Sequence, residues 1–139
     1  MCMPLDEVLK MAWEDAQDKI REYHIHIYHG DVKSKQKAKW LESSLKELFA
    51  DDVTGSWDIK VVGPHTKENV ELNIKPQAFG KVIQWLQMNN AGLSILVHPN
   101  TGNDYRDHIH SSLWINGPVK FKEGFFKPKK TRPPHFMHD

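Results

Sequence analysis

The sequence predicts an α+β fold: a ferredoxin-like βαββαβ antiparallel sheet with an extra N-terminal helix and a short fifth strand. Three observations carry this. Segments of period two and period 3.6 alternate in that order along the chain. Each period-two segment has one apolar face for helices to cover. The length, 139 residues, fits about one domain and can bury a core without disulfides or a structural metal.

Residues 5–21 read as an amphipathic helix, because Leu5, Val8, Leu9, Ala12, Trp13, Ala16 and Ile20 recur at steps of three and four. From Tyr23 to Tyr28 the period drops to two. Tyr23, Ile25 and Ile27 share one face, and His24, His26 and Tyr28 the other. Ser34 is the expected N-cap of a helix through Ala50, with Ala38, Leu41, Leu45, Leu48 and Phe49 as its buried stripe. Thr54-Gly55-Ser56 breaks the chain before a second strand, Trp57–Val62, which Gly63-Pro64 turns. Val70, Leu72 and Ile74 alternate with Glu71 and Asn73 in a third strand. Pro76 opens a helix whose stripe is Phe79, Val82, Ile83 and Leu86, and Asn89-Asn90 ends it. Leu93–Val97 is a fourth strand, residues 99–104 are turn chemistry, and Ser112–Ile115 is a short fifth strand. The chain thus divides into an N-terminal helix (1–22), a ferredoxin-like domain (23–116) and a basic Pro/Lys-rich arm (117–139).

Composition excludes several functions. No apolar run approaches the ~18 residues a membrane span needs. Asp6, Glu7, Glu14 and Asp15 near the start do not fit a secretory signal. A single cysteine, Cys2, rules out a disulfide framework and a multi-cysteine zinc site, so a cytoplasmic location is expected. The net charge of +1 sets up no global field for nucleic acid. From Gly117 on, six Lys/Arg stand against two acids, with Phe121, Phe125 and Phe126 among them; such an arm is ordinarily solvated or packed on a neighbour.

Nine histidines stand out. On a strand, His24 and His26 lie ~6.5–7 Å apart on one face, so both could hold one metal, or one could ligate while the other moves protons. In the predicted topology the fourth strand lies antiparallel beside the first. His98 then joins His24 and His26 on one sheet face, and the following loop carries in His108. Asp104 and Asp107 could orient a ligating imidazole through its other nitrogen. His65, presented by the Gly63-Pro64 turn, falls at the far end of the sheet. It could reach the site only by a long hairpin excursion or from a second copy. His29, His110, His135 and His138 read as ordinary surface. The polar face also carries Glu71, Asn73 and Ser94, and Trp114 is the tryptophan placed nearest to it. Such a face meets water or lines a site, and a second copy closing over it would make a homodimer. An imidazole site with carboxylates nearby suits Fe(II), Zn(II), Mn(II) or Ni(II). A zinc hydrolase and a non-enzymatic ligand-binding module are the rival readings.

The spaced motifs resemble one family. They are His24-Ile25-His26, Gly63-Pro64-His65, the run Gly92-Leu93-Ser94-Ile95-Leu96-Val97-His98-Pro99-Asn100-Thr101-Gly102, and Asp107-His108 with Leu113-Trp114-Ile115. Over roughly residues 22–116 they look like the DOPA 4,5-dioxygenase family. The resemblance implies a small, commonly dimeric α+β protein that cleaves catechols such as L-DOPA in extradiol fashion, with non-haem Fe(II) and O2. Zinc or nickel could replace the iron in a purified sample. Asn103 departs from the family pattern, where a second Asp is expected beside Asp104. For that chemistry the expected ligands are His26, His98 and His108, with His24 and His65 as acid–base residues. Arg106, Asn73 and Trp114 are the expected substrate contacts, and Arg106 would meet a carboxylate through its two-pronged guanidinium.

Overall fold

The computed structural model describes residues 4–6 and 20–126. Most of the helix expected over 5–21 lies outside the described residues. The elements are β1 (Glu22–Tyr28), α1 (Val32–Leu48), β2 (Val53–Ile59), β3 (Asn69–Ile74), a 3-10 turn (Pro76–Ala78), α2 (Phe79–Met88), β4 (Ile95–Asn100), a π-helical turn (Arg106–His110) and β5 (Leu113–Ile115). The strands form one antiparallel sheet in the order β2-β3-β1-β4-β5. This is the ferredoxin-like order with a fifth strand added at one edge.

Strand parity sorts the sheet into two faces. Ile25 opposes Leu72 and Val97, and Ile27 opposes Val70 and Ile95. These side chains, with Ile74, pack against Ala38, Leu41 and Leu45 of α1 and Ala78, Val82 and Leu86 of α2, all nearly or fully buried. The core therefore lies between the sheet and the two helices. On the other face His24 stands directly between Asn73 and His98, and His26 between Glu71 and Leu96.

Several expected boundaries move, each for a local reason. Asp31, not Ser34, caps α1: its carboxylate accepts from the Ser34 N–H at 2.7 Å, and the Ser34 hydroxyl accepts from the Asp31 N–H at 3.0 Å. This reciprocal pair places Ser34 inside the first turn. Leu48 falls off the buried stripe and is exposed, whereas Glu42 is buried and paired with Lys39 Nζ at 2.6 Å. Thr54-Gly55-Ser56 does not break the chain but lies within β2, where the register shifts between Val53 and Gly55. Glycine leaves room there for the Trp57 indole, which occupies the place a Cβ would take. β2 ends at Ile59, leaving Val61 and Val62 exposed in the loop before β3. β4 starts later than expected and runs on through His98 and Pro99 to Asn100. Proline is tolerated because β5 stops opposite Val97, so no strand on that side needs a Pro99 N–H. His29 is buried rather than turn surface, since its backbone still bonds to Glu68 (3.0 Å) and its side chain keeps the parity of Ile27. Among the described residues no helix is long and apolar enough to cross a membrane.

Candidate metal centre

Ring nitrogens of His24, His26 and His98 lie within 4.8 Å of one another. β1 and β4 bring them together, as the sheet register requires. His24 and His26 are 6.5 Å apart between ring centroids, and His98 is 5.0 Å from His24 and 5.2 Å from His26. His26 and His98 are almost fully buried.

Neighbouring oxygens fix the hydrogens. His26 Nδ1 lies 2.9 Å from Asn69 Oδ1. The Asn69 amide nitrogen donates to the Lys67 carbonyl, which fixes the amide's orientation. His98 Nδ1 lies 2.9 Å from the Pro99 carbonyl. An oxygen that only accepts demands a donor, so both Nδ1 atoms carry hydrogen and both Nε2 atoms carry lone pairs. Those two Nε2 atoms face each other at 3.2 Å. Two lone pairs at this distance repel unless a cation lies between them.

A proton is a poor candidate for that cation. Burial is the main cause that lowers the His26 pKa to about 3, helped by the nearby His65, and the His98 pKa to about 2, helped by His108. A divalent metal fits the donor set. His24 completes the pattern: its Nε2 bonds Glu22 Oε1 at 2.8 Å, and Glu71 Oε2 lies 3.7 Å from its Nδ1. Ligating histidines characteristically give their second nitrogen to such an oxygen. Burial also raises the Glu71 pKa. Asn73 is buried beside these carboxylates, within 3.4 Å of Glu22 Oε1 and, with its amide turned, 2.9 Å of Glu71 Oε2.

The His108 ring lies against that of His98, 3.9 Å between centroids and tilted by 36°, with its Nδ1 2.8 Å from the Asp104 carbonyl. It stands beside the nitrogen cluster, so the grouping contains His24 where His108 was expected. Nor do the two aspartates orient an imidazole through their carboxylates. Asp107 is buried and accepts from the Thr101 N–H (2.8 Å) and hydroxyl (2.7 Å), which ties the loop together. Asp104 reaches His108 through its backbone. Arg106 Nη2 donates to Thr101 Oγ1 at 2.9 Å, so its guanidinium is tied into the same loop.

His65 does reach the site within one chain. The loop between β2 and β3 makes the excursion, turning at Gly63 with φ +60°, and brings the His65 ring to 4.5 Å from His26. Residues after Gly117 hold the loop: the Lys122 N–H bonds the Pro64 carbonyl (2.8 Å), and Thr66 Oγ1 the Lys120 carbonyl (2.6 Å). Phe121 thereby sits against His65, His108 and Trp114, with ring centroids 5.7–6.3 Å away, and Phe126 lies 4.8 Å from His108. The shelter expected from a second copy is thus supplied in part by the chain itself.

Sequence reasoning missed Tyr28, Asn69, Glu22 and the two phenylalanines as parts of the site. Parity was a usable signal for three of these: Tyr28 and Glu22 share the face of His24 and His26, and Asn69 that of Glu71 and Asn73. Phe121 and Phe126 had no such signal, because their placement depends on a long-range contact.

Comparison with known proteins identifies the family. The model of the Dopa 4,5-dioxygenase family matches residues 23–124, so the match runs past Gly117 into the arm. A DOPA 4,5-dioxygenase from Amanita muscaria is 33% identical over 106 residues, covering 71% of this chain and 46% of that protein. An uncharacterized 21.2 kDa protein from Botryotinia fuckeliana is 33% identical over 124 residues, covering 81% of this chain and 61% of its own length. The chain therefore spans roughly half the length of these curated relatives. The crystal structure of a candidate dioxygenase from Nostoc punctiforme matches with a TM-score of 0.68 at 31% identity, over 78% of this chain and 93% of that one.

Proposed function

The chain belongs to the Dopa 4,5-dioxygenase family, and from that premise we propose that it cleaves an L-DOPA-like catechol in extradiol fashion, using non-haem Fe(II) and O2. The observation that supports this most is the pair of opposed Nε2 lone pairs on His26 and His98, 3.2 Å apart with both Nδ1 atoms committed to oxygen acceptors. His26 and His98, with His24 as third ligand, would hold the ion. When bound, iron supplies Lewis acidity toward the catechol oxygens and the redox chemistry of O2.

The chain's own residues do the rest. Glu22 and Asn69 hold the rings of His24 and His26 in fixed tautomers. His108 keeps its Nδ1 hydrogen on the Asp104 carbonyl, which leaves Nε2 free to take a phenolic proton. Burial lowers its pKa and keeps it neutral for that task. Trp114, Phe121 and Phe126 form an aromatic wall beside the histidines that excludes water and faces a flat ring. Asn73, and Arg106 at the loop, complete the substrate contacts in this reading. We place the protein in the cytoplasm, where reducing conditions preserve Fe(II). We also retain a homodimer, with edge strands β2 and β5 carrying the exposed Trp57 and Leu113, to be tested by light scattering.

The test is anaerobic reconstitution with Fe(II), followed by catechols and air. Oxygen uptake with a yellow ring-opened product is expected, together with loss of bound metal in folded His26→Ala and His98→Ala variants. Iron-loaded protein that consumes no oxygen with any of several catechols would overturn the proposal.

A further inference from the structure

The geometry points to Tyr28 as a positioning residue that locks His65 in the tautomer with hydrogen on Nε2, making His65 a hydrogen-bond donor within the site. Tyr28 closes β1 on the same face as His24 and His26, and its side chain is buried. Its hydroxyl lies 2.8 Å from His65 Nδ1. Among the described residues that hydroxyl makes no other hydrogen bond. A buried hydroxyl with one partner donates to it, because withholding its hydrogen would leave a buried donor unmet. Nδ1 is then the acceptor, and in a neutral ring the hydrogen must sit on Nε2.

Two further observations give this tautomer a role. No buried side-chain nitrogen or oxygen among the described residues lacks a partner, yet His65 Nε2 makes no hydrogen bond there. It therefore opens to accessible space, in a ring 4.5 Å from His26. The assembly is also braced on both sides. Trp114 stacks on Tyr28 at 5.8 Å and 22°, and the backbone bridge between His65 and Phe121 fixes the loop that carries the imidazole. His65 and His108 then present opposite functions. His108 offers a lone pair, and His65 offers an N–H to an oxygen gaining negative charge. The catalytic consequence rests on the ring-cleavage reading; the tautomer does not.

Tyr28→Phe removes the hydroxyl and keeps the stacked ring. Long-range proton–nitrogen NMR on the Zn(II)-loaded protein reads which His65 nitrogen carries hydrogen. Hydrogen on Nε2 in the parent, with a mixture of tautomers in Tyr28→Phe and unchanged metal content, is the expected result. In the Fe(II) enzyme the variant should lose about 10- to 100-fold in kcat with KM within about twofold, the signature of a donor used in the transition state. Hydrogen on Nδ1 in the parent overturns the inference even if catechols are cleaved. So does a variant with unchanged tautomer and unchanged kcat. If no catechol is cleaved, the ring-cleavage reading fails alone, and the parent spectrum still decides for or against the lock.

Discussion

Acid should unfold the metal-free protein over a narrow pH range, and the buried histidines set its size. The perturbation is lowering the pH from 7 to 5 after chelation. In the folded chain burial holds the pKa of His26 at about 3, of His65 at about 4 and of His98 at about 2. In the unfolded chain each returns to roughly 6.5. Because the folded values are lower, the unfolded chain takes protons first. Stability is therefore complete above the unfolded value and falls as pH drops through the window between ~6.5 and 4. Each group contributes a slope of up to ~1.4 kcal/mol per pH unit there. From pH 7 to pH 5 this amounts to about 2 kcal/mol for each of His26 and His98. It is less for His65, whose Nε2 opens to accessible space, giving on the order of 5 kcal/mol in all. That is an upper bound, since the loop carrying His65 can open without global unfolding. It still rivals the whole stability of an ordinary domain, ~5–15 kcal/mol. Urea denaturation at pH 7, 6 and 5, followed by circular dichroism, measures the slope. A His26→Gln, His98→Gln double variant should lose most of it. Stability that is flat to within about 1 kcal/mol across this window would refute the assignment of these rings as buried and neutral.

Other outcomes follow from the same geometry. Asn69→Ala should weaken Zn(II) affinity by roughly 10- to 100-fold while the protein stays folded, because His26 loses the acceptor that fixes its tautomer; competition with a chromophoric chelator reads this. In the same assay His24→Ala should cost more affinity than His108→Ala, and the reverse order would make His108 the third ligand. Leu72→Ala empties the centre of a fully buried cluster and should destabilise by about 2–5 kcal/mol in urea at pH 7. Phe121→Ala should raise KM for a catechol substrate several-fold with metal content unchanged, since it removes the aromatic wall and none of the ligands.

Alternation was enough to place His24, His26 and His98 on one face, because strand parity is local and antiparallel pairing of β1 with β4 follows from the element order. The same reasoning could not place His65. Its position depends on an excursion held by the 120–122 backbone, a contact spanning more than fifty residues that leaves no periodic trace. His29 was misjudged because the following glycine signals a turn, whereas the strand parity persists one residue further. Ser34 looked like a cap because serine favours that position, but Asp31 competes for it and the two satisfy each other. The aspartates near His108 carried a plausible role as imidazole partners, yet the nearest unmet donors to Asp107 were those of Thr101. Charge alone did not say which donor would win.

The central position of β1 has a consequence for how the protein is made. This strand leaves the ribosome first among the five, but its neighbours β3 and β4 lie about 45 and 70 residues downstream, and both must arrive before it is paired on each edge. His24 meets His98 only at that late stage. A growing polypeptide therefore carries at most the His24–His26 pair, and on the proposed reading the full three-imidazole claw is completed only as a final maturation event, coupled to the docking of β4 rather than to synthesis.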